Sequence, residues 1–188
     1  MKKINNNIIL IIGILLFFLS LFFDAQINLI FKNTRFPVFD AVLGFITNFG
    51  VVVFIALVIP SFILYKKNKK IVYLLWLTFI FSVILAFIIK LIISRQRPME
   101  AFTYPFINII DYSFPSMHSM VVFSLLPALI KFFSKQKSFW IAFSFLVAFS
   151  RIYFGFHFLS DVVFGALFGY FIGDYLLKLY KKKKLWIS

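Results

Sequence analysis

There is no cysteine in these 188 residues, so disulfides and thiolate metal sites are excluded. Acidic residues number six and histidines two, and charged residues of every kind make up 14% of the chain. Against that scarcity stand 63% hydrophobic residues and a mean hydropathy of +1.01. The balance excludes a soluble domain and points to an integral membrane protein. No stretch is polar enough for a separate soluble unit, so residues 1–188 read as a single domain, one compact helical bundle.

The net charge of +14 raises the question of nucleic acid, and the placement of the charge argues against it. Lysines fall in short blocks between apolar runs: Lys2-Lys3, Lys66 to Lys70, Lys131 to Lys137 and Lys178 to Lys184. That is the pattern of cytoplasmic loops, with anionic headgroups as the partners of the lysines. A nucleic-acid face needs a basic soluble surface, and none is available.

A membrane-spanning helix needs about 20 apolar residues. The first span is predicted over Ile8 to Phe23, extensible back to Ile4. Phe22-Phe23-Asp24-Ala25-Gln26 makes a poor signal-cleavage site, so this span is expected to be retained. Phe39, Val42, Leu43 and Ile46 recur at helical spacing within the mixed segment 24–47, which predicts a short interfacial helix. Further spans are predicted over Asn48–Tyr65 (bent near Pro60), Ile71–Ile93, Phe114–Phe133, Ser138–Phe154 and Leu159–Tyr180, with a polar loop over Ser94–Ser113. The fold class is thus all-α: six transmembrane helices in one bundle.

Six spans put both termini on one side. The lysine blocks fall on that side too, which makes it cytoplasmic. Every acidic residue except Asp174 (Asp24, Asp40, Glu100, Asp111 and Asp161) then falls on the outer side. Trp140, Trp186 and Tyr65 fit an inner aromatic belt, and Tyr104 and Tyr112 an outer one. Gly165, Gly169 and Gly173 form a small-residue ridge on the last span, suited to close helix packing within the bundle.

The scarce polar chemistry is concentrated in three short blocks. Lys90 precedes Arg97-Pro98; His118 lies in Pro115-Ser116-Met117-His118; Ser150-Arg151 precedes His157 and Asp161. With this topology all three meet at the outer leaflet. Polar groups beside a bilayer are costly and usually functional. Lys90, Arg97 and Arg151 supply cations for phosphate oxygens, two of them as planar forks. Ser116 stands where it can cap the fourth span, whose N-terminal N–H groups suit an anion. A histidine can accept a phosphoryl group. Asp161, four residues beyond His157, shares a helical face with it and can hold its tautomer. His118 is the remaining histidine and takes the acid–base role. No metal or cofactor is needed if these groups do the work.

These three blocks resemble the signature motifs of the type 2 phosphatidic acid phosphatase superfamily. The resemblance runs directly through the third to sixth spans. It implies a metal-independent membrane lipid phosphatase working through a phosphohistidine. By position, His157 would be the nucleophile, Asp161 its partner and His118 the acid. Lys90, Arg97, Ser116, Ser150 and Arg151 would hold phosphate. Met117 departs from the glycine common at its place, where the backbone N–H would still face phosphate but the side chain adds bulk. Larger residues there resemble phosphotransferase branches.

Singly, each residue has an ordinary explanation. Lys90 can snorkel from a helix end, Arg97 can anchor a headgroup, and His157 with Asp161 can form a structural pair or bind a metal. Arg95, Glu100 and Asp111 read as solvated loop residues. Together the blocks favour hydrolysis of a lipid phosphate or diphosphate at the outer face of the cytoplasmic membrane. Polyprenyl diphosphate, phosphatidylglycerophosphate and phosphatidate all fit. The rivals are a lipid phosphotransferase on the same scaffold, a non-enzymatic transporter or binder of anionic lipid, and a bis-histidine haem protein, which the placement of both histidines near the outer face disfavours.

Overall fold

A computed structural model describes residues 6–34, 36–98 and 112–182 of the chain. Glu100, Tyr104 and Asp111 of the polar loop, with Lys2, Lys3, Ile4, Lys183, Lys184 and Trp186, lie outside the described residues. The described residues are all-helical, with no strand among them. The helices are α1 (Asn6–Asn33), α2 (Pro37–Thr47), α3 (Phe49–Tyr65), α4 (Lys69–Ile93), α5 (Met117–Phe132), α6 (Lys137–Tyr153) and α7 (Leu159–Lys181).

The first helix does not stop at Phe23 as expected but continues ten residues to Asn33. Asp24 and Asn28 break the apolar run without breaking the helix, because Ile27 and Phe31 keep a face against the core. The Phe31 ring meets the rings of Phe149 and Tyr153 at 5.6 and 5.7 Å. At about 1.5 Å per residue the helix is about 42 Å long, more than a hydrocarbon core is thick. Much of its surface is apolar and uncovered by protein, from Ile8 to Phe23 in particular, as a lipid-facing helix requires.

Asn48 makes the next turn. Its side chain accepts from the N–H groups of Gly50 and Val51 and caps α3, which leaves α2 at 59°. Within α3 a π-turn over Phe54–Val58 directly precedes Pro60, whose missing N–H a regular helix could not accommodate there. The expected disturbance at Pro60 is therefore a widened turn. Asn68 caps α4 in the same way as Asn48 caps α3.

Three helices (α1, α4 and α7) are long and apolar enough to cross a membrane alone, and the bent pair α2–α3 makes up to four. α5 and α6, with 16 and 17 residues, are shorter than a full span. Even so, α5 is the most enclosed helix, buried almost continuously from Ser119 to Leu129. Its main partner is α7. A Cβ on Gly165, Gly169 or Gly173 would collide with the backbone carbonyls of Ser116, Met120 and Ser124, one turn of α5 after another. The ridge packs inside the bundle, as its spacing predicts.

That packing orders the ends of the helices. The loop at Asn68 meets Tyr180 near the end of α7, and Phe132 at the end of α5 meets the same tyrosine. The lysine-rich turns thus gather at one end. The end of α4, the start of α5, the end of α6 and the start of α7 gather at the other, and these carry the three polar blocks.

Candidate active site

Each polar block is positioned by a helix ending or beginning. α4 stops at Ser94, whose left-handed backbone (φ 50°) turns the chain after Lys90. Gly155, with φ 67°, makes the turn from α6 into α7 that an ordinary residue would resist. The carbonyl of Arg151 accepts from the N–H groups of Phe156 and His157 at 3.1 and 3.2 Å, which folds that turn back toward the bundle.

A cavity of about 160 Å³ lies between these ends. It is lined by Lys90, Arg97, Met117, His118, Arg151 and His157, with Phe49, Phe87, Leu91 and Tyr112 as its mainly apolar wall. Six of the sequence-predicted residues therefore meet around one space, though they are up to 67 positions apart in the chain (Lys90 to His157). Lys90 is buried and donates to the Tyr112 carbonyl. Arg97 donates to the Phe156 carbonyl at 2.9 Å. Arg151 lies over the Phe156 ring at 4.5 Å and donates to the Thr47 hydroxyl at 2.6 Å. Three buried or half-buried cations around one small space are mutually repulsive, which an anion would relieve.

His157 is almost wholly buried. Its Nδ1 lies 2.7 Å from the Ser113 carbonyl. A carbonyl only accepts, so Nδ1 carries the proton and Nε2 keeps its lone pair. Burial, then the charges of Arg151, Lys90 and Arg97, hold the His157 imidazole well below its ordinary titration range. Both causes favour the neutral ring, the form whose lone pair is free to attack.

Asp161 is fully buried behind it, with Oδ2 at 3.7 Å from Nδ1. The expected shared helical face is not formed, because His157 precedes α7, and Asp161 reaches the ring's surroundings through Ser113. Its carbonyl takes the ring proton and its hydroxyl donates to Asp161. Asp161 also accepts from the Phe158 N–H at 2.8 Å and from Arg95 at 2.7 Å. The carboxylate remains close enough to favour a positive charge on the ring.

His118 is held differently. Its ring hydrogen-bonds to the backbone of Thr47 and meets the Phe49 ring edge-on at 4.9 Å. Its Nε2 is buried with no hydrogen-bond partner among the described residues. An imidazole nitrogen left unmatched beside a cationic cavity is suited to a proton on a bound oxygen.

Two predicted phosphate ligands lie elsewhere. Ser116 is fully buried, and its hydroxyl accepts from Ser119 at 3.1 Å without capping α5. Its N–H donates to the Asp161 carbonyl at 3.1 Å, which joins the start of α5 to α7. Ser150 is turned into the protein, toward Val147 and the Thr47 hydroxyl at 2.6 and 2.9 Å. It borders Arg151 through Thr47 and does not line the cavity. Arg95, read as a solvated loop residue, is ion-paired with Asp24 and Asp161 at 2.8 and 2.7 Å.

Thr47, Ser113 and Asp24 were missed by the sequence reading. Thr47 and Ser113 hold the two histidines through the main chain, which leaves no mark on residue type, and their hydroxyls, which serve Arg151 and Asp161, are ordinary in any helix or loop. Asp24 did carry a signal, as an acid interrupting an apolar helix.

A family model described as the PAP2 superfamily matches residues 70–185, more than half of the chain. The chain belongs to the PAP2 superfamily. This PAP2 chain is 34% identical to the bacitracin transport permease protein BcrC of Bacillus licheniformis over 55% of its own length, and the match spans about half (52%) of that relative. It is 24% identical to an undecaprenyl-diphosphatase of Sulfolobus acidocaldarius over 80% of its own length and 75% of the relative's. Its fold resembles that of a transmembrane PAP2 type phosphatidylglycerolphosphate phosphatase from Bacillus subtilis, with a TM-score of 0.71 at 24% identity, covering 92% of this chain and 96% of that one. It also resembles Aquifex aeolicus LpxE, with a TM-score of 0.65 at 25% identity over 82% and 94% of the two chains. Of these four, the Sulfolobus relative and the Bacillus subtilis structure are phosphatases by name.

Proposed function

We propose that the chain removes a terminal phosphate from a lipid phosphate or diphosphate through a phosphohistidine on His157, without a metal ion. The observation that carries this reading is the donation of the His157 Nδ1 proton to Ser113, which leaves Nε2 as the nucleophilic atom beside three cations. Nε2 attacks phosphorus, a P–N bond forms, and the bond to the lipid oxygen breaks. His118, doubly protonated once the phosphate anion has entered, gives its Nε2 proton to that leaving oxygen. Water then attacks phosphorus, its proton passes to His118, and the P–N bond breaks to release inorganic phosphate and neutral His157. Lys90, Arg97 and Arg151 hold the equatorial oxygens, where charge is spread in the transition state. Asp161 stabilises the imidazolium character of the intermediate. The apolar wall of Phe49, Phe87 and Leu91 suits a hydrocarbon tail. Among lipid phosphates, the relative named undecaprenyl-diphosphatase favours a polyprenyl diphosphate.

The membrane arrangement belongs to the same reading. α1, α3, α4, α5, α6 and α7 make six spans, α2 lies in the interface, and the lysine-rich end faces the cytoplasm. The cavity then opens to the outer face of the cytoplasmic membrane. A cysteine at Ser94 in the otherwise cysteine-free chain is expected to react with a membrane-impermeant thiol reagent in whole cells, and one at Asn68 is not; the reverse pattern would refute this orientation.

The decisive measurement is rapid-quench labelling with a terminally ³²P-labelled lipid diphosphate. An acid-labile, base-stable phosphoenzyme is expected in wild type and absent in His157→Ala, with a chelator without effect. Labelling that survives His157→Ala would refute the nucleophile. A second reading is favoured by Met117, whose side chain lines the cavity and can shield the phosphoenzyme from water. Transfer to a lipid or sugar hydroxyl would then exceed phosphate release, and Met117→Gly would restore hydrolysis.

A further inference from the structure

We propose that Asp24 and Arg95 are positioning residues for the nucleophile: an ion pair between α1 and the loop after α4 that holds Ser113 and Asp161, and through them the His157 ring. The inference rests on the reading of His157 as nucleophile and adds to it a dependence on the first helix.

Two groups face His157 Nδ1, and Arg95 holds both. The first is the Ser113 carbonyl. The N–H of Ser113 donates to the Arg95 carbonyl at 2.6 Å, so the main chain of Arg95 sets the height of that serine beside the ring. The second is the Asp161 carboxylate, which takes Arg95 Nη1 at 2.7 Å. The same Nη1 donates to the Ser160 hydroxyl, also at 2.7 Å, and the guanidinium face lies 3.9 Å over the Phe158 ring. Three residues that follow His157, namely Phe158, Ser160 and Asp161, are therefore held by one side chain.

Asp24 completes the grip. Its Oδ2 accepts from Arg95 Nη2 at 2.8 Å and from the Ser160 hydroxyl at 2.6 Å, and its Oδ1 accepts from the Ser160 N–H at 2.9 Å. The carboxylate thus satisfies an N–H in the first turn of α7 and fixes the fork of Arg95 at once. With both Nη atoms so committed, and outside the cavity wall, Arg95 is not arranged as a phosphate ligand. A buried carboxylate such as Asp161 is tolerated only when paired, and Arg95 is its closest cation. Asp24 lies outside the matched residues 70–185, so the nucleophile depends on an element that the family match does not cover.

The test uses the full-length chain in detergent with farnesyl diphosphate as probe. Arg95→Gln is expected to lower kcat about tenfold to a hundredfold with KM within about twofold, the size of effect that misplacing a reacting group produces. Asp24→Asn is expected to lower kcat by less. The double variant should lose no more than Arg95→Gln alone, because both act through one pair. Arg95→Lys keeps the charge without the fork and should recover part of the loss. A kcat within about twofold of wild type in Arg95→Gln would overturn the inference; so would a raised KM at unchanged kcat, which would make Arg95 a substrate ligand.

A second readout needs no turnover. The chain has two histidines, so ¹⁵N-histidine labelling in a His118→Gln background isolates the His157 ring. With Arg95 present, a single tautomer protonated at Nδ1 is expected; with Arg95→Gln, exchange between two tautomers. An unchanged tautomer would sink the inference whatever the substrate. Turnover surviving in His157→Ala would instead sink the phosphohistidine reading, and the two failures are thereby separated.

Discussion

His157 and His118 border the same cavity but are anchored to different parts of the bundle. His157 stands on the turn between α6 and α7, with its Nδ1 proton given to Ser113 and with Asp161 and Arg95 behind it. His118 stands in the first turn of α5, tied to the backbone of Thr47 and leaning on Phe49, with a bare Nε2. A carboxylate backs one ring, and main chain with an aromatic edge backs the other. Under the proposed mechanism, the difference is what would let two chemically identical side chains take two tasks. A nucleophile needs a fixed tautomer and a nearby negative charge for its phosphorylated, cationic form. A proton shuttle needs only reach and a nitrogen that no other group occupies.

The largest expected effect tests whether the two are distinct at all. His157→Ala is expected to lower kcat by about four orders of magnitude or more and His118→Gln by about two to four, measured as phosphate release from a lipid diphosphate. A phosphoenzyme that still forms in His118→Gln but never in His157→Ala would complete the contrast, and equal loss of it in both would break it.

A leaving group that needs no proton sharpens the same contrast. With p-nitrophenyl phosphate the His118→Gln defect is expected to shrink by at least about tenfold relative to an alkyl phosphate, whereas the His157→Ala defect stays complete. An undiminished His118→Gln defect would remove the acid role.

The residue that joins the two sides can be probed at Thr47, whose backbone holds His118 and whose hydroxyl takes Arg151. Thr47→Val is expected to raise KM about fivefold, the effect of one lost hydrogen bond, with Thr47→Ser close to wild type. An unchanged KM would instead show that the Thr47 hydroxyl does not support Arg151.

The smallest effect is on pH. Burial and three nearby cations hold His157 below its ordinary value of 6.5, so the neutral ring persists as pH falls through that value. The acid limb of phosphoenzyme formation is expected below pH 6.5. Removing one of those cations with Arg151→Gln relieves part of the depression, so the limb moves upward, toward 6.5. A limb that moves downward would contradict the electrostatic account.

How much of this was legible depends on what each feature rests upon. Helices α3 to α7 lie close to where apolar runs and Asn, Gly and Pro signals predict them, because a membrane helix satisfies its own backbone and needs only an apolar run of sufficient length. Lys90, Arg97, His118, Arg151 and His157 were legible because a charge or an imidazole in so apolar a chain is conspicuous. Met117 was legible only by its departure from a pattern. The extension of α1 to Asn33 was not, since Asp24 and Asn28 read as the end of a run until the partners of Asp24 in α7 and in the loop after α4 are known.

The sequence by itself determined an all-helical membrane chain, the short list of polar residues able to act on phosphate, and the close packing of the glycine ridge. These follow from composition and from spacing within single helices. Only the tertiary structure decided which of those residues share the cavity. It turned Ser116 and Ser150 inward, made a serine carbonyl the partner of His157, and drew Arg95 and Asp24 behind Asp161. Each of those choices depends on where a main-chain carbonyl or a distant helix arrives. No periodicity records this, because a carbonyl is common to all residues and a contact between α1 and α7 has no local trace.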